Sequence, residues 1–198
     1  MNDHLQNSFD HDAEMWHVYD YARCAAAGRD VYFAATWEDR GGVNDSGYIW
    51  ADDSRWSVDT PENPHSILAL MTWRQWHLRG PVDLRDTPLS LYLRGENLDL
   101  KGGYCTFWVL CRRLSTRWHF AAQPLPIEPI GWAKTPTVVT LDDDESQWHR
   151  SWTVPGNAPA SLHEVLGEVD SYGLAFVGFS QAVTGRLAMD EFQLTPVK

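Results

Sequence analysis

The sequence has little cysteine: three residues, Cys24, Cys105 and Cys111, in a chain of 198. An odd number argues against a disulfide scaffold and is typical of proteins in a reducing compartment. Cys105 and Cys111 lie in one strand-like segment at a separation of roughly 20 Å, whereas a disulfide requires Cα atoms within about 7 Å. No cysteine has a spacing that suggests a zinc site or a catalytic thiol, so we expect all three to pack as small hydrophobic residues.

Long apolar runs and basic residues are also scarce. No run of eighteen apolar residues occurs, and the first residues lack the basic and apolar segments of a secretory signal. We therefore expect no membrane partner and a cytoplasmic protein, or an extracellular one if a signal has been trimmed. The chain has 16 basic against 27 acidic residues and a net charge of −11. Because such a field repels phosphate backbones, we expect no nucleic-acid partner.

Tryptophan, by contrast, is abundant, with eleven residues spread through short segments of alternating polarity. Tryptophan is too large to bury repeatedly, and its indole N–H requires a partner, so a surplus often serves ligand-binding surfaces as well as packing. A period of two indicates β-strands. We predict an all-β protein, an antiparallel β-sandwich of the jelly-roll type. A single domain is expected over residues 8–196, after a flexible N-terminal tail at 1–7.

Two segments alternate clearly between apolar and polar residues. In 89–94, the three leucines at odd positions are predicted to face the core. From Cys105 to Cys111, the odd positions are apolar and are predicted to face the core as well. The opposite face is predicted to be a binding surface, and the alternative is a face that a loop covers. That face carries Tyr104, Thr106, Trp108, Leu110 and Arg112.

Residues 161–167 form the best helix candidate. Ser161 is a suitable N-cap, Glu164 stands at the capping-box position, and three apolar residues at 162, 165 and 166 form one stripe. Two later segments, 174–179 and 186–194, flank a turn at 183–185. We predict that these two segments pair as a hairpin.

Five motifs occur in order along residues 8–194. They are Ser8-Phe-Asp-His-Asp12, Asn44-Asp-Ser-Gly-Tyr-Ile-Trp-Ala-Asp52, Val82-Asp-Leu84 with Leu89-Ser-Leu-Tyr-Leu-Arg94, the apolar positions Leu162, Val165, Leu166 and Val169, and Leu187-Ala-Met-Asp-Glu-Phe192. Their order resembles laminin-IV-like, galactose-binding-like β-jelly rolls, a sandwich that carbohydrate-binding modules share. Such jelly rolls also serve in adhesion and assembly and as domains of enzymes.

The resemblance implies two antiparallel sheets, a ligand site on a concave sheet or in the loops at one end, and frequently a structural calcium near the first and last strands. Asp10 and Asp190 come from segments that the resemblance would bring together. Calcium requires hard oxygen ligands, which carboxylates supply. We therefore expect these two residues as metal ligands, and we expect no organic cofactor.

Two strands combine aromatic rings with arginines on the side opposite the core, in positions that one sheet could present together. A flat ring suits the C–H face of a sugar, and a guanidinium group offers fixed donors to its hydroxyls. The leading hypothesis is a carbohydrate-binding-module-like domain that binds a glycan or a small polar ligand on the concave face. The predicted ligand-binding residues are Trp73, Trp76, Tyr92, Arg94, Trp108, Arg112 and Trp118.

Two other functions stay open. A small jelly-roll enzyme of the lyase, isomerase or cyclase type would use His77 or His119 with Tyr104 in the same cleft, since histidine can act as a general base. No nucleophile elbow, HExxH helix, phosphate loop or dinucleotide fingerprint occurs in the sequence, so a non-catalytic function is favoured. The third possibility is a protein-interaction or assembly-factor domain, which a flat uncharged patch would indicate.

Overall fold

Two antiparallel β-sheets pack face to face in the computed structural model of this chain. The structure describes residues 5–29, 31–58, 66–77 and 79–196, with only the backbone of Tyr21, Ala22, Ala25 and His77. The prediction of an all-β antiparallel sandwich is confirmed, because strands dominate the described residues and every strand pair is antiparallel.

Along the described residues, thirteen strands and two α-helices follow one another. The strands are β1 (Leu5–Asn7), β2 (His17–Tyr19), β3 (Tyr32–Ala34), β4 (Thr36–Glu38), β5 (Tyr48–Asp52), β6 (Ser66–Trp73), β7 (Thr87–Asp99), β8 (Tyr104–Cys111), β9 (Thr116–Phe120), β10 (Thr137–Leu141), β11 (Trp148–Thr153), β12 (Ser171–Val177) and β13 (Thr184–Leu194). The helices are α1 (Tyr21–Ala27) and α2 (Leu162–Leu166). Short 3-10 helices cover Val43–Asp45, Arg74–His77 and Glu145–Gln147.

The six-stranded sheet has the order β10-β7-β13-β5-β4, and β1 pairs with β13 beside this path. The seven-stranded sheet has the order β11-β9-β8-β12-β6-β2-β3. The predicted hairpin of 174–179 with 186–194 is wrong, because β12 and β13 belong to different sheets. Each is an interior strand whose two edges are already occupied, β12 by β6 and β8 and β13 by β5 and β7.

The core lies between the inner faces of the two sheets, where the predicted alternation is confirmed. Leu89, Leu91 and Leu93 are buried there from β7, and the odd positions of β8 from Cys105 to Cys111 are buried there too. Burial raises the pKa of the Cys105 thiol, which agrees with its prediction as a small hydrophobic residue.

The helix predicted near 161–167 is confirmed as α2. Ser161 and Glu164 form the capping box, with the Glu164 backbone N–H donating to Ser161 Oγ at 3.3 Å and the Ser161 N–H donating to Glu164 Oε2 at 2.9 Å. Sequence reasoning missed α1, which begins after Asp20 and ends before Gly28 in the left-handed conformation, φ 63°. No helix in the described part of the chain is long and apolar enough to cross a membrane.

The predicted N-terminal tail extends too far, because residues 5–7 form β1. Leu5 pairs with Leu194 and is buried in the core. Asn7 donates from Nδ2 to Glu14 Oε2 at 2.7 Å and accepts from Trp16 Nε1 at 3.2 Å. One buried leucine and these hydrogen bonds attach the segment to the sandwich, so the ordered strands begin before residue 8.

Candidate functional site

Four of the seven predicted ligand-binding residues lie on the outward side of the seven-stranded sheet. Trp73 at the end of β6 and Trp108 in β8 belong to a hydrophobic cluster that is separate from the core, and Trp76 packs against that cluster. The side chain of Arg112, just after β8, lies over the Trp73 ring. The prediction that the even positions of β8 face away from the core is therefore correct for Trp108.

Five rings contact one another at the β2, β3 and β6 side of this face. Ring centroids are 5.0 Å apart for Tyr32 and Trp76, 5.9 Å for Trp73 and Trp76, and 6.2 Å for Tyr32 and Trp73. His17 lies 4.8 Å from Trp76, and Tyr19 lies 5.3 Å from Tyr32. We call these five residues the aromatic cluster. Most of its contacts are edge-to-face, an arrangement that the quadrupoles of aromatic rings favour.

Sequence reasoning missed the members of the aromatic cluster that β2 and β3 contribute. The register pairs Tyr19 with Tyr32, and both point away from the core, while Val18 between the outward positions of β2 is fully buried in it. The available signal was the alternation His17-Val18-Tyr19. A run of three residues is too short for a period of two to stand out from chance.

Arg112 places a cation beside the aromatic cluster. Its Cζ atom lies 4.0 Å from the centroid of the Trp73 ring, within the range of a cation–π interaction. The residue is exposed, and its backbone N–H donates to Asp170 Oδ2 at 2.7 Å. The ring therefore holds the guanidinium group at the surface edge of the cluster.

Burial divides the aromatic residues of this outward face into two groups. Trp73 and Trp108 are 5% and 1% exposed, so their ring faces are not open platforms, as the covered-face alternative anticipated. Their indole Nε1 atoms are nevertheless buried with no hydrogen-bond acceptor among the described residues. The half-buried residues that form the accessible part of the aromatic cluster are His17, Tyr19, Tyr32 and Trp76.

The prediction for Trp118 is wrong, because this residue faces the core. It pairs with Val109 across β8 and β9, and both belong to the core cluster. The outward positions of β9 are Arg117 and His119, which lie on the same side as Trp108. The Arg117 guanidinium donates from Nε to Ser151 Oγ at 3.0 Å.

Tyr92 and Arg94 also fail to join the other predicted residues, because β7 belongs to the six-stranded sheet. They face outward on the opposite side of the sandwich from the aromatic cluster. The Arg94 guanidinium lies 4.9 Å from the Tyr48 ring centroid and 4.5 Å from that of Trp132. Its NH1 donates to the Gly41 carbonyl at 3.2 Å. Arg94 therefore connects two loops to the sheet through contacts within the chain.

The charged groups next to Arg94 are paired with one another. Glu96 accepts from Arg94 at 2.9 Å and from Arg186 at 3.0 Å. Arg186 stacks on Trp50 with its Cζ 3.6 Å from the ring centroid, and Trp50 Nε1 donates to Glu38 at 3.1 Å. These charged groups are therefore bonded within the chain, although Arg94 Nε is buried without an acceptor among the described residues.

The residues named for the enzyme alternative do not form a compact group. His119 lies across from Trp108 and is 2% exposed, while Tyr104 stands at the start of β8, four positions before Trp108. At about 3.3 Å per residue, Tyr104 is roughly 13 Å along the strand from Trp108. The side chain of His77 lies outside the described residues. The enzyme alternative stays a prediction.

Asp190, predicted as a calcium ligand, anchors the loop before β5. Its Oδ2 accepts from the Val43 backbone N–H at 2.7 Å and from Ser46 Oγ at 2.9 Å, and its Oδ1 accepts from the Glu191 N–H at 2.7 Å. Burial raises the pKa of Asp190, these hydrogen bonds lower it, and the charge of Asp10 raises it further.

The residues around Asp190 do not by themselves fit a calcium ion. Calcium takes six to eight oxygen ligands, whereas the Asp190 oxygens already accept protein donors and Asp10 is exposed. Among the residues that the structure describes, no group of three His, Cys, Asp or Glu side chains is arranged to hold a metal ion. The calcium expectation stays a prediction.

Comparisons with known proteins show a similarity in structure but no match in sequence. No protein-family model matches the chain, and no curated protein is similar to it. Among solved structures, the chain is similar to CtCBM11, described as "Solution structure, dynamics and binding studies of CtCBM11", with 11% sequence identity, a TM-score of 0.37, and coverage of 93% of this chain and 96% of that chain. A similarity at this level supports no conclusion about function, and the sandwich is established by the two sheets themselves.

Proposed function

We propose that this chain is a carbohydrate-binding-module-like domain that binds a glycan at the aromatic cluster. The observation that carries the proposal is the grouping of five rings and Arg112 on one outward sheet face. Aromatic rings suit the C–H faces of sugars, and a guanidinium group donates to their oxygens. Half-buried Tyr19, Tyr32 and Trp76 are the surface that a sugar ring would meet first.

The buried indole of Trp73 supports the same site. It lies between Trp76, at 5.9 Å, and the guanidinium of Arg112, at 4.0 Å. Its N–H has no acceptor among the described residues. An unpaired buried donor costs about 1–3 kcal/mol. Because this N–H is buried, a sugar hydroxyl could accept from it only if a neighbouring side chain such as Trp76 or Arg112 moved on binding.

The experiment is a titration of the purified protein with a panel of oligo- and polysaccharides, followed by intrinsic tryptophan fluorescence. We expect a saturable change with at least one glycan, and we expect Trp76→Ala to weaken that binding by about tenfold or more, since removing a central aromatic contact typically costs over 1 kcal/mol. Trp50→Ala is the matched control, because Trp50 is also half-buried but faces outward on the six-stranded sheet. Circular dichroism confirms that both variants fold.

Two outcomes contradict the proposal. The first is a folded wild-type protein that binds no member of the panel. The second is a glycan that binds wild-type protein and Trp76→Ala equally while Trp50→Ala loses it, which would move the site to the opposite face. Either result would direct attention to the enzyme and protein-interaction alternatives.

A further inference from the structure

The seven-stranded sheet has no acidic residue in any strand that the structure describes. The sequences of β2, β3, β6, β8, β9, β11 and β12 contain neither Asp nor Glu. They do contain two arginines, Arg117 and Arg150, and three histidines, His17, His119 and His149. This distribution is unexpected in a chain whose net charge is −11.

The six-stranded sheet has the opposite character. Its strands contain six carboxylates and two arginines. The carboxylates are Glu38, Asp52, Glu96, Asp99, Asp190 and Glu191. Both arginines, Arg94 and Arg186, bond to Glu96. The strands that contribute to the aromatic cluster, β2, β3 and β6, therefore contain no carboxylate side chain, although the chain as a whole is acidic.

Hydrogen-bonding capacity around the aromatic cluster is also weighted towards donors. An indole N–H and a guanidinium group can donate but cannot accept. Trp73 and Trp108 each bury an N–H that has no acceptor among the described residues, and Arg112 adds an exposed cation. Asp170 brings a negative charge to this region: its Oδ2 accepts the backbone N–H of Arg112, its charge interacts with that of Arg112, and its Oδ1 is a buried acceptor without a donor among the described residues. A ligand that supplies acceptors and negative charge complements such a surface.

We propose that the glycan bound at the aromatic cluster is anionic, a sugar chain bearing carboxylate or sulfate groups, with Arg112 contacting the anionic group while the rings contact the sugar. This inference rests on the proposed glycan-binding function and specifies its ligand class. Anionic oxygens form charge-assisted hydrogen bonds with guanidinium groups, which are stronger than those of neutral hydroxyls. The attraction is local, because charges beyond about 8 Å are screened at physiological salt.

The test uses pairs of polymers that share a backbone and differ in charge. Polygalacturonate is compared with its methyl-esterified form, carboxymethylcellulose with hydroxyethylcellulose, and dextran sulfate with dextran. We expect the anionic member of at least one pair to bind about tenfold or more tightly than its neutral member. Its affinity should fall as sodium chloride is raised, because salt screens the charges. The carboxylated and sulfated pairs distinguish the two sources of negative charge.

Arg112→Gln tests the residue that carries the inference. We expect it to weaken binding of the anionic polymer about tenfold while leaving any binding of the neutral partner unchanged. Arg186→Gln is the control, since Arg186 also stacks on a tryptophan but lies on the six-stranded sheet. It should bind both polymers as the wild type does.

The outcomes separate this inference from the proposed function. Equal binding of neutral and anionic polymers, lost in Trp76→Ala and kept in Arg112→Gln, would overturn the anionic ligand and leave glycan binding at the cluster intact. Preference for an anionic polymer that both Trp76→Ala and Arg112→Gln retain would place the charge recognition elsewhere and overturn the inference. A folded protein that binds no polymer of either kind overturns the proposed function itself.

Discussion

The outward faces of the two sheets satisfy their polar groups differently. On the six-stranded sheet, Glu96 bonds to two arginines and the buried Asp190 accepts three hydrogen bonds. On the seven-stranded sheet, Trp73 and Trp108 bury indole N–H groups without an acceptor among the described residues. Buried polar groups are normally paired because an unpaired one costs free energy. The six-stranded sheet also has a buried donor without an acceptor among the described residues, Arg94 Nε, so the two faces differ in the kind of group that is left unpaired, a guanidinium nitrogen on one and two indole N–H groups on the other.

The largest effect is expected on removal of the buried Asp190 side chain in the six-stranded sheet. Asp190→Ala leaves the Val43 N–H without its acceptor and the Ser46 hydroxyl with only the Val43 carbonyl, and we expect a loss of about 3 kcal/mol in the free energy of unfolding. Urea denaturation measures it. The control is Asp52→Ala, because Asp52 bonds to Ser54 within its own turn, and we expect a loss below about 1 kcal/mol. Similar losses for both variants would show that the hydrogen bonds of Asp190 to the loop before β5 contribute no more stability than those of Asp52 within its own turn.

A smaller effect is expected when two equally buried tryptophans are compared, one whose indole N–H has an acceptor and one whose N–H has none in the described part of the chain. The effect is the difference in unfolding free energy lost on substitution. Trp148 is 6% exposed and donates from Nε1 to the Asp142 carbonyl at 3.0 Å, whereas Trp73 is 5% exposed and has no acceptor among the described residues. Replacing each by phenylalanine removes the N–H and a similar volume. We expect Trp148→Phe to destabilise the protein by about 1 kcal/mol more than Trp73→Phe, measured by urea unfolding. Equal losses would mean that the Trp73 N–H is paired in solution.

The smallest expected effect is a difference in pH dependence between two carboxylates. Burial raises the pKa of Asp170 beside the seven-stranded sheet, while hydrogen bonds from Lys101 lower the pKa of Asp99 in β7. When the folded-state pKa is raised, stability falls as pH rises from the ordinary aspartate pKa to the folded-state pKa. When the folded-state pKa is lowered, stability rises as pH rises from the folded-state pKa to the ordinary one.

These signs give opposite slopes for the two amide variants. As pH rises from about 4 towards about 7, the stability of Asp170→Asn relative to wild type should increase, whereas the stability of Asp99→Asn relative to wild type should decrease as pH rises through the range below about 4. Urea unfolding at several pH values measures both. Slopes of the same sign would contradict the assigned environments of these two carboxylates.

The sequence predicted those features that depend on neighbouring residues. Alternation in β7 and β8 identified their core positions, and Ser161 with Glu164 located α2. Trp118 could have been assigned by the same rule, because the polar Arg117 and His119 alternate with the apolar Trp118 and Phe120, which face the core. The outward Arg117 and His119 are covered as well.

The separation of Tyr92 and Arg94 from Trp108 and Arg112 has a different cause. Which sheet a strand joins depends on partners that are distant in sequence, as the pairing of β7 with β13 shows. No local pattern records that choice. For the same reason, only part of the aromatic cluster was predicted, since β2 and β3 meet the end of β6 only in the folded chain.

The pairing of the first described strand with the last has a mechanical consequence. β1 and β13 are antiparallel, and Leu5 lies opposite Leu194, so the outer ends of both strands are at the same end of the pair. A force pulling residue 5 away from residue 194 would load their hydrogen bonds one after another, as in a zipper, instead of loading all of them together in shear. Held at these two points, the sandwich would begin to open at low tension, by release of β1, whatever its thermodynamic stability.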